Sequence, residues 1–287
     1  MQVYFYLGLD VQLIQLNQGQ ISSWNFKVRL KPDMPKAVTT INTPDLNYKS
    51  QRSYIRTLDM IDMKLMDNAR YEVKQIEGHI RKNYTGTVWL TSLYNQAEAY
   101  NEGYRIMELY QKHKTKKEEK NLPKSFWRLY YPLTYEKTIN MHSEKYGINS
   151  FFINSIIRQE SLFNRHSISP SGARGLMQIM PETGKRLYTP TESQNFEPDE
   201  LFRPNLNILL GTKYLNQLKE NYRNNLIHIL ICYNAGPKPL ERWKRRFRHI
   251  KDMDTFIESI PYPETRKYVK SVIRNYGIYQ SLYSEDI

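Results

Sequence analysis

The sequence has 287 residues, of which 40% are hydrophobic and 13% aromatic, values typical of one large or two ordinary folded domains. Its formal net charge of +13 at pH 7 predicts an anionic partner or surface. No apolar run is long enough to span a bilayer, and the single cysteine, Cys232, excludes an internal disulfide framework. The six histidines are scattered without metal-ligand spacing, so we expect neither a metal nor another cofactor.

The amino-terminal part of the sequence changes character along its length. Residues 4–16 carry apolar side chains at helical spacing and predict a helix. Over residues 17–50 this periodicity fails, and prolines, glycine, threonines and asparagines indicate an irregular insert.

Helical periodicity returns over residues 52–111. Apolar residues recur every three residues in its first helix, at Ile55, Leu58 and Ile61, and small residues at the later contacts indicate paired helices. We therefore predict an α-helical hairpin region over residues 1–111 that contains the insert.

The second half of the chain is separated from this region by a charged stretch. Residues 112–123 are rich in lysine and glutamate and nearly free of apolar side chains, which predicts a linker. Residues 124–287 then form a second domain. No long alternating stretch predicts a sizeable sheet, so we expect a mostly α fold with at most a short hairpin near residues 167–180.

One carboxylate of the second domain lies on an apolar helix face. If the stretch around it is helical, Glu160 shares that face with Ile153, Ile156 and Ile157. Desolvation by these neighbours would raise its pKa, so that it could carry a proton near neutral pH as a general acid must. The alternative is an ordinary solvated glutamate beside Arg158 near a helix end.

The residues that follow have the composition of a ligand-binding loop. Residues 169–172, Ser-Pro-Ser-Gly, predict a turn, and Gly175 permits a close approach of the backbone to a ligand. Met177 and Met180 offer an apolar lining, and Gln178 offers an amide for a hydroxyl-rich ligand. Both methionines could equally be core residues.

A nearly all-apolar stretch over residues 226–233 predicts a central helix. Its end at a Gly-Pro pair leaves Tyr233 and Asn234 at the border of the proposed site. The segment after it, residues 238–251, is the most basic of the chain and is either a solvated helix face or a contact surface for a polyanion.

Several motifs occur in an order that is similar to a known family. They are Glu-Ser at 160–161, SPSGA at 169–173, GLMQIMP at 175–181, GTKYL at 211–215, YNAGP at 233–237 followed by Trp243, and PETRKYV at 263–269. This set resembles the soluble lytic transglycosylases, which cleave peptidoglycan glycan strands with a lysozyme-like domain. Cys232, Ser167 and Gly184 depart from the family pattern, but none of them removes a polar group that the chemistry needs.

The resemblance implies a role for each matching residue. Glu160 is the implied catalytic residue. The implied substrate-binding residues are Ser169, Gln178, Met180, Tyr233 and Asn234, and the implied supporting residues are Glu264, as a buried carboxylate, Met177 and Gly175. The fold it implies is a lysozyme-like catalytic domain preceded by a small helical hairpin (superhelical) region.

The number of carboxylates favours one reaction. Glycosidases usually need two carboxyl groups, yet no Asp or Glu lies between Ser161 and Pro181. Glu160 would then act first as acid and later as base, and ring closure by the muramoyl C6 hydroxyl would give a 1,6-anhydro product. Other carboxylates could still reach the site and activate water; they are Glu182, Glu192, Glu197, Asp199 and Glu264.

The leading hypothesis is therefore a peptidoglycan lytic transglycosylase whose partner is the glycan strand. A hydrolytic muramidase on the same fold, a non-catalytic glycan-binding protein and a basic nucleic-acid-binding protein are its rivals. We expect a monomer that does not bind nucleic acid, with weak wall or membrane-surface association through residues 238–251. The resemblance implies a periplasmic or cell-envelope location. Because the first ten residues do not form a signal peptide, we expect the natural chain to extend further toward its amino end.

Overall fold

The computed structural model describes most of the chain from residue 44 onward and three short segments before it. The described residues are 2–3, 11–13, 26–28, 44–80, 83–112, 122–188 and 196–284. Within them the protein is mostly α-helical, as predicted.

Among the described residues, four helices form the amino-terminal part and nine follow. The first four are α1 Tyr48–Asp62, α2 Met66–Glu77, α3 Tyr84–Gln96 and α4 Tyr100–Gln111. The next five are α5 Lys124–Tyr130, α6 Glu136–Tyr146, α7 Ser150–Ser161, α8 Pro181–Leu187 and α9 Pro204–Asn221, with a 3-10 helix at Pro198–Phe202 before α9. The last four are α10 Leu226–Ala235, α11 Pro237–Arg246, α12 Met253–Glu258 and α13 Pro263–Tyr283.

Three short strands precede the helices and form an antiparallel sheet in the order β1-β2-β3. They are β1 Gln2–Val3, β2 Val11–Leu13 and β3 Phe26–Val28. The prediction of a helix over residues 4–16 is therefore wrong for the residues of β2, and the other residues of that range lie outside the described part of the chain. Val11, Gln12 and Leu13 alternate apolar with polar residues, which is the period of a strand.

Residues 44–112, here called the helical region, contain two helical hairpins. α1 packs on α2 and α3 packs on α4. The buried face of α1 consists of Ser50, Ser53 and Thr57, whereas Ile55 is 59% exposed. The apolar stripe predicted for α1 is thus wrong at Ile55, which lies two positions, or about 200°, from both Ser53 and Thr57 and so faces away from the buried side.

The described residues have two hydrophobic cores. The smaller core lies in the helical region and runs from Leu46 to Ala99. The larger core begins with Met107 at the end of α4 and continues through α5 to α13. Residues 113–121 of the predicted linker lie outside the described residues, so the domain boundaries at 111 and 124 stay predictions.

Helix α7 lies at the centre of the larger core and packs along α13. Gly147, with a φ of +58°, ends the preceding helix, and the Asn149 side chain caps α7 by accepting a hydrogen bond of 2.9 Å from the Phe151 N–H. These two residues fix where α7 starts. No helix among the described residues has the length and apolar character needed to cross a membrane.

Candidate functional site

Glu160 lies in the last turn of α7. The side chains from Phe151 to Arg158 are buried, and Glu160 itself is partly buried. Burial is the main cause that raises the pKa of its carboxyl group to about 7. A carboxyl group with this pKa is protonated in a substantial fraction of molecules at neutral pH and can therefore act as a general acid.

Two residues of α13 act on the Glu160 carboxyl group in opposite directions. The hydroxyl of Tyr268 is buried and has no hydrogen-bond partner of standard geometry among the described residues, but it lies near Glu160 and lowers the pKa of its carboxyl group. The charge of Glu264 raises that pKa. Glu264 is exposed in the first turn of α13, so the expectation that it is buried was wrong. A carboxylate there stays solvated while it complements the helix dipole.

The end of α10 forms the opposite border of the site. Burial, together with the nearby charge of Glu160, raises the pKa of the Tyr233 hydroxyl. This hydroxyl donates a hydrogen bond of 2.8 Å to the Met177 carbonyl oxygen. The next residue, Asn234, accepts one of 2.7 Å from the Thr265 hydroxyl and so ties α10 to the start of α13. Both predicted binding residues therefore also hold the site together.

A loop over residues 162–180 completes the site. Ser161 joins α7 to it by donating from its hydroxyl to the Leu176 carbonyl at 2.9 Å. Inside the loop, the Ser169 hydroxyl oxygen accepts a hydrogen bond of 3.0 Å from the Ala173 N–H. Arg174 forms isolated antiparallel bridges with Ile168 and Ile179 within the segment where at most a short hairpin was expected.

The loop is anchored by Asn207, a fully buried residue of α9 that the sequence analysis did not identify. Its side-chain oxygen accepts from the Met177 N–H at 2.7 Å, and its nitrogen donates to the carbonyls of Arg174 and Leu201 at 2.9 and 2.8 Å. Because Gly175 has no side chain, Asn207 and the Leu201 carbonyl can lie close to the backbone of the loop. A Cβ atom there would lie 2.2 Å from the Leu201 oxygen and 2.4 Å from the Asn207 nitrogen, so what approaches Gly175 closely is protein.

Three further loop residues were predicted to face a ligand. Met177 is fully buried and packs against Gly211 of α9, so it is a core residue, whereas Met180 is 40% exposed. The Gln178 amide nitrogen donates to the Ser167 and Gly175 carbonyls at 3.0 and 2.9 Å. The Gln178 nitrogen therefore supports the loop, and the predicted ligand contact of Gln178 stays a prediction for its amide oxygen.

Of the two residues that were missed, the sequence contained a signal for Asn207 but not for the role of Tyr268. Asn207 lies on the same helix face as Leu210, Gly211 and Tyr214, so it is a polar residue within a buried face. That is the pattern by which Glu160 was identified. Tyr268 occurred in the matching PETRKYV motif, but nothing in its spacing indicated that its hydroxyl faces Glu160.

The other carboxylates considered as partners of Glu160 are placed differently. Glu182, Glu197 and Asp199 are exposed, and Asp199 pairs with Arg174. Glu192 lies outside the described residues. Of the four that the structure describes, Glu264 alone contributes to the pKa shift of Glu160. In the described parts of the chain no three His, Cys, Asp or Glu residues are grouped as they would be around a metal ion.

A cavity of about 870 Å³ lies elsewhere, between α2, α3 and α4 of the helical region. Two of its charged groups bind each other, since Glu77 pairs with Arg105, and Glu77 also accepts a hydrogen bond of 2.6 Å from Tyr94. Glu160 and the residues around it are absent from its lining. The candidate site is therefore the region around Glu160.

Comparison with known proteins gives a consistent result. Residues 137–256 match the transglycosylase SLT domain family. The soluble lytic murein transglycosylase of Escherichia coli strain K12 is 36% identical over 157 residues, which cover 54% of this chain and 24% of that protein. The soluble lytic murein transglycosylase of Salmonella typhimurium is 37% identical over 144 residues, which cover 50% of this chain and 22% of that protein.

The fold is also similar to a solved structure. The crystal structure of the 70 kDa soluble lytic transglycosylase of Escherichia coli matches with a TM-score of 0.68 and 26% sequence identity. The match covers 86% of this chain and 38% of that one, so this chain spans less than half the length of these relatives. The predicted fold, a lysozyme-like domain preceded by helical hairpins, is thereby confirmed.

Proposed function

We propose that the protein is a peptidoglycan lytic transglycosylase, from the premise that residues 137–256 match the transglycosylase SLT domain family. It cleaves the β-1,4 bond between N-acetylmuramic acid and N-acetylglucosamine and leaves a 1,6-anhydromuramoyl end. The observation that carries the proposal is the partly buried Glu160, whose carboxyl pKa is raised to about 7 by burial.

In the proposed reaction Glu160 acts twice. Its protonated carboxyl group donates a proton to the glycosidic oxygen, and the C1–O bond breaks as the leaving sugar departs. The resulting carboxylate then accepts the proton of the muramoyl C6 hydroxyl, whose oxygen bonds to C1. No water is consumed, and Glu160 is protonated again at the end. The Tyr268 hydroxyl lowers the pKa of the Glu160 carboxyl group, and it therefore favours the carboxylate that forms midway through the reaction.

The substrate-binding roles belong to this proposal. Ser169 and Gln178 offer a hydroxyl and an amide oxygen from the loop, and Met180 offers an exposed apolar surface. Tyr233 and Asn234 border the site from α10. Glu264, Met177 and Gly175 support it through charge, packing and loop geometry respectively.

A hydrolytic muramidase is the second candidate, and one observation favours it. Glu264 is an exposed carboxylate whose charge acts on Glu160. A carboxylate of this kind can activate water, as the base of an inverting glycosidase does. In that case the product would carry a reducing end.

Product analysis of purified peptidoglycan sacculi separates these functions. We expect the wild-type protein to release muropeptides one water lighter than reducing-end sugars, and Glu160→Gln to release none. Glu264→Gln should still give the lighter product. If the wild type instead released products with reducing ends, and these disappeared in Glu264→Gln, the protein would be a muramidase. Binding to sacculi without release would establish a non-catalytic glycan-binding protein.

The location and the wall contact are proposed on the same basis. A peptidoglycan enzyme works in the cell envelope, and we place this one in the periplasm as a monomer. Residues 238–251 present exposed basic side chains at Lys238, Arg242, Arg245 and Arg248, whereas Trp243 is buried beneath them. These cations would bind the carboxylates of the wall weakly, in a salt-dependent way. Replacing these four by glutamine, together with the likewise exposed Arg246 and Lys251, should reduce sedimentation with sacculi at low salt, and no change would exclude this contact.

A further inference from the structure

A buried cation lies behind the candidate catalytic residue. Arg158 is 4% exposed and precedes Glu160 by two residues on α7. Two residues in a helix of 3.6 residues per turn point about 200° apart, so Arg158 faces away from the site. A buried charge costs free energy unless its surroundings compensate it, which makes the contacts of Arg158 informative.

The compensation comes mainly from tyrosine rings. The Arg158 guanidinium carbon lies 3.7 Å from the ring centroid of Tyr131, 4.6 Å from that of Tyr130 and 4.9 Å from that of Tyr104. Its Nη1 also donates to the Tyr130 carbonyl at 2.5 Å. No carboxylate among the described residues forms an ion pair with it. Tyr104 belongs to α4, so the helical region contributes one wall of this cage.

The contact with the helical region continues beyond Arg158. The Phe163 ring packs edge-on against Tyr100 of α4 at 6.1 Å between centroids. Arg165 donates to both carboxylate oxygens of Asp67 on α2, at 2.7 and 2.6 Å. Three side chains within five residues of Glu160 thus contact a part of the chain that contributes none of the site residues described above.

We propose that Arg158 is a positioning residue for Glu160, and that the helical region holds the end of α7 in its working position through the ring of Tyr104. The catalytic role given to Glu160 rests on the proposed function, whereas the contacts of Arg158 are features of the structure that do not depend on it.

Substitution by lysine isolates the geometry from the charge. Arg158→Lys keeps the positive charge but loses the planar group that fits between rings and reaches the Tyr130 carbonyl. Arg128→Lys is the matched control. Arg128 also lies over a tyrosine ring, at 5.1 Å from the Tyr283 centroid, and donates to a backbone carbonyl at 2.9 Å, but it joins α5 to the end of α13.

The first measurement needs no substrate. The Glu160 carboxyl is titrated by carbon NMR in the full chain and is identified by its absence in Glu160→Gln. We expect Arg158→Lys to lower the pKa of Glu160 by about one unit, because a displaced helix end admits water and reduces desolvation. Arg128→Lys should leave it unchanged. The other groups that act on Glu160, Tyr233, Tyr268 and Glu264, are the same in both variants.

The second measurement uses sacculi. Arg158→Lys should reduce kcat roughly 10- to 100-fold with KM nearly unchanged, because misplacing the acid affects the reaction and not the binding of the glycan. Equal thermal midpoints for the two lysine variants would exclude general destabilisation. If Arg158→Lys showed the same Glu160 pKa and the same kcat as the wild type, the proposal would be overturned.

Tyr104→Leu tests the contribution of the helical region, and it is the alternative test variant if Arg158→Lys does not fold. It removes one ring and leaves Arg158 in place. A fall in the Glu160 pKa in the same direction supports the proposal, and an unchanged titration overturns this part of it. If the wild type releases no muropeptide, the proposed function fails, while the titrations still decide whether Arg158 positions Glu160.

Discussion

Asn207 accepts a hydrogen bond of 2.7 Å from the backbone N–H of Met177, which lies 30 residues earlier in the chain. The same amide donates to two backbone carbonyls, those of Arg174 and Leu201. One buried side chain of α9 therefore replaces the partners that a regular strand would give this loop. The position of Met177 matters for the site, because its carbonyl holds the Tyr233 hydroxyl.

Replacing Asn207 by alanine should destabilise the protein strongly. The Met177 N–H and the Leu201 carbonyl lose their partner, whereas the Arg174 carbonyl keeps the Ile179 N–H, and we expect the free energy of unfolding to fall by about 3 kcal/mol. The control is Asn216→Ala, which removes one amide of the same helix with a single hydrogen bond, to Glu220 at 3.0 Å. It should change stability by less than about 0.5 kcal/mol. Denaturant unfolding measures both, and equal effects would contradict the anchoring role.

Gly175 and Gly172 separate steric crowding from backbone strain. Both have a positive φ, +78° and +86°, but a Cβ at Gly172 would have no atom within 4 Å. Gly172→Ala should therefore cost only the strain of a left-handed alanine, about 1 to 2 kcal/mol. Gly175→Ala adds a clash with the Leu201 carbonyl and should cost more than about 3 kcal/mol. Thermal unfolding of the two variants tests this, and a Gly175→Ala variant as stable as Gly172→Ala would contradict it.

The parts of the site that follow local rules could be predicted from the sequence. Glu160 stands out because it is a carboxylate on an apolar helix face, and Pro181, Pro204 and Pro263 each begin a helix at the position that proline favours. What depends on distant contacts could not be predicted. Periodicity gave Ile55 a buried place, but tertiary packing buries the face of α1 that carries Ser53 and Thr57, and Ile55 lies on the opposite side of the helix.

Side-chain roles within the site were harder still to predict than positions. Gly175 has the sequence signature of a ligand-binding glycine, and only the structure places a buried amide and a carbonyl against it. Glu264 was expected to be buried because the resemblance implied it, yet the start of α13 is exposed. The sequence does not distinguish Tyr268 from other helical tyrosines, and only the packing of α13 along α7 places it near Glu160.

Tyr268 and Glu264 should shift the pH dependence of activity in opposite directions. Tyr268→Phe removes the hydroxyl that lowers the pKa of Glu160, so this pKa should rise and activity should persist to higher pH. Glu264→Gln removes a charge that raises it, so activity should be lost at lower pH. The alkaline limb of kcat/KM for sacculus digestion reports the pKa of the acid in the free enzyme. Shifts of the same sign in both variants would contradict this arrangement.

The raised pKa of Glu160 also predicts how stability depends on pH. In the unfolded chain this carboxyl group ionises near its ordinary value of 4.5, whereas in the folded protein it keeps its proton until about pH 7. Between these two values the folded state binds more protons than the unfolded state, so the contribution of Glu160 to stability falls as the pH rises. Above pH 7 both states are ionised and the contribution is constant.

The difference in free energy of unfolding between Glu160→Gln and the wild type isolates this contribution. Glutamine has nearly the same shape and does not titrate, so the variant should gain stability relative to the wild type from pH 4.5 to 7, by roughly 3 kcal/mol at 1.36 kcal/mol per unit. Urea unfolding at a series of pH values measures it. A difference that stays flat over this range would mean that Glu160 ionises normally, and the site would then lack its proton donor at neutral pH.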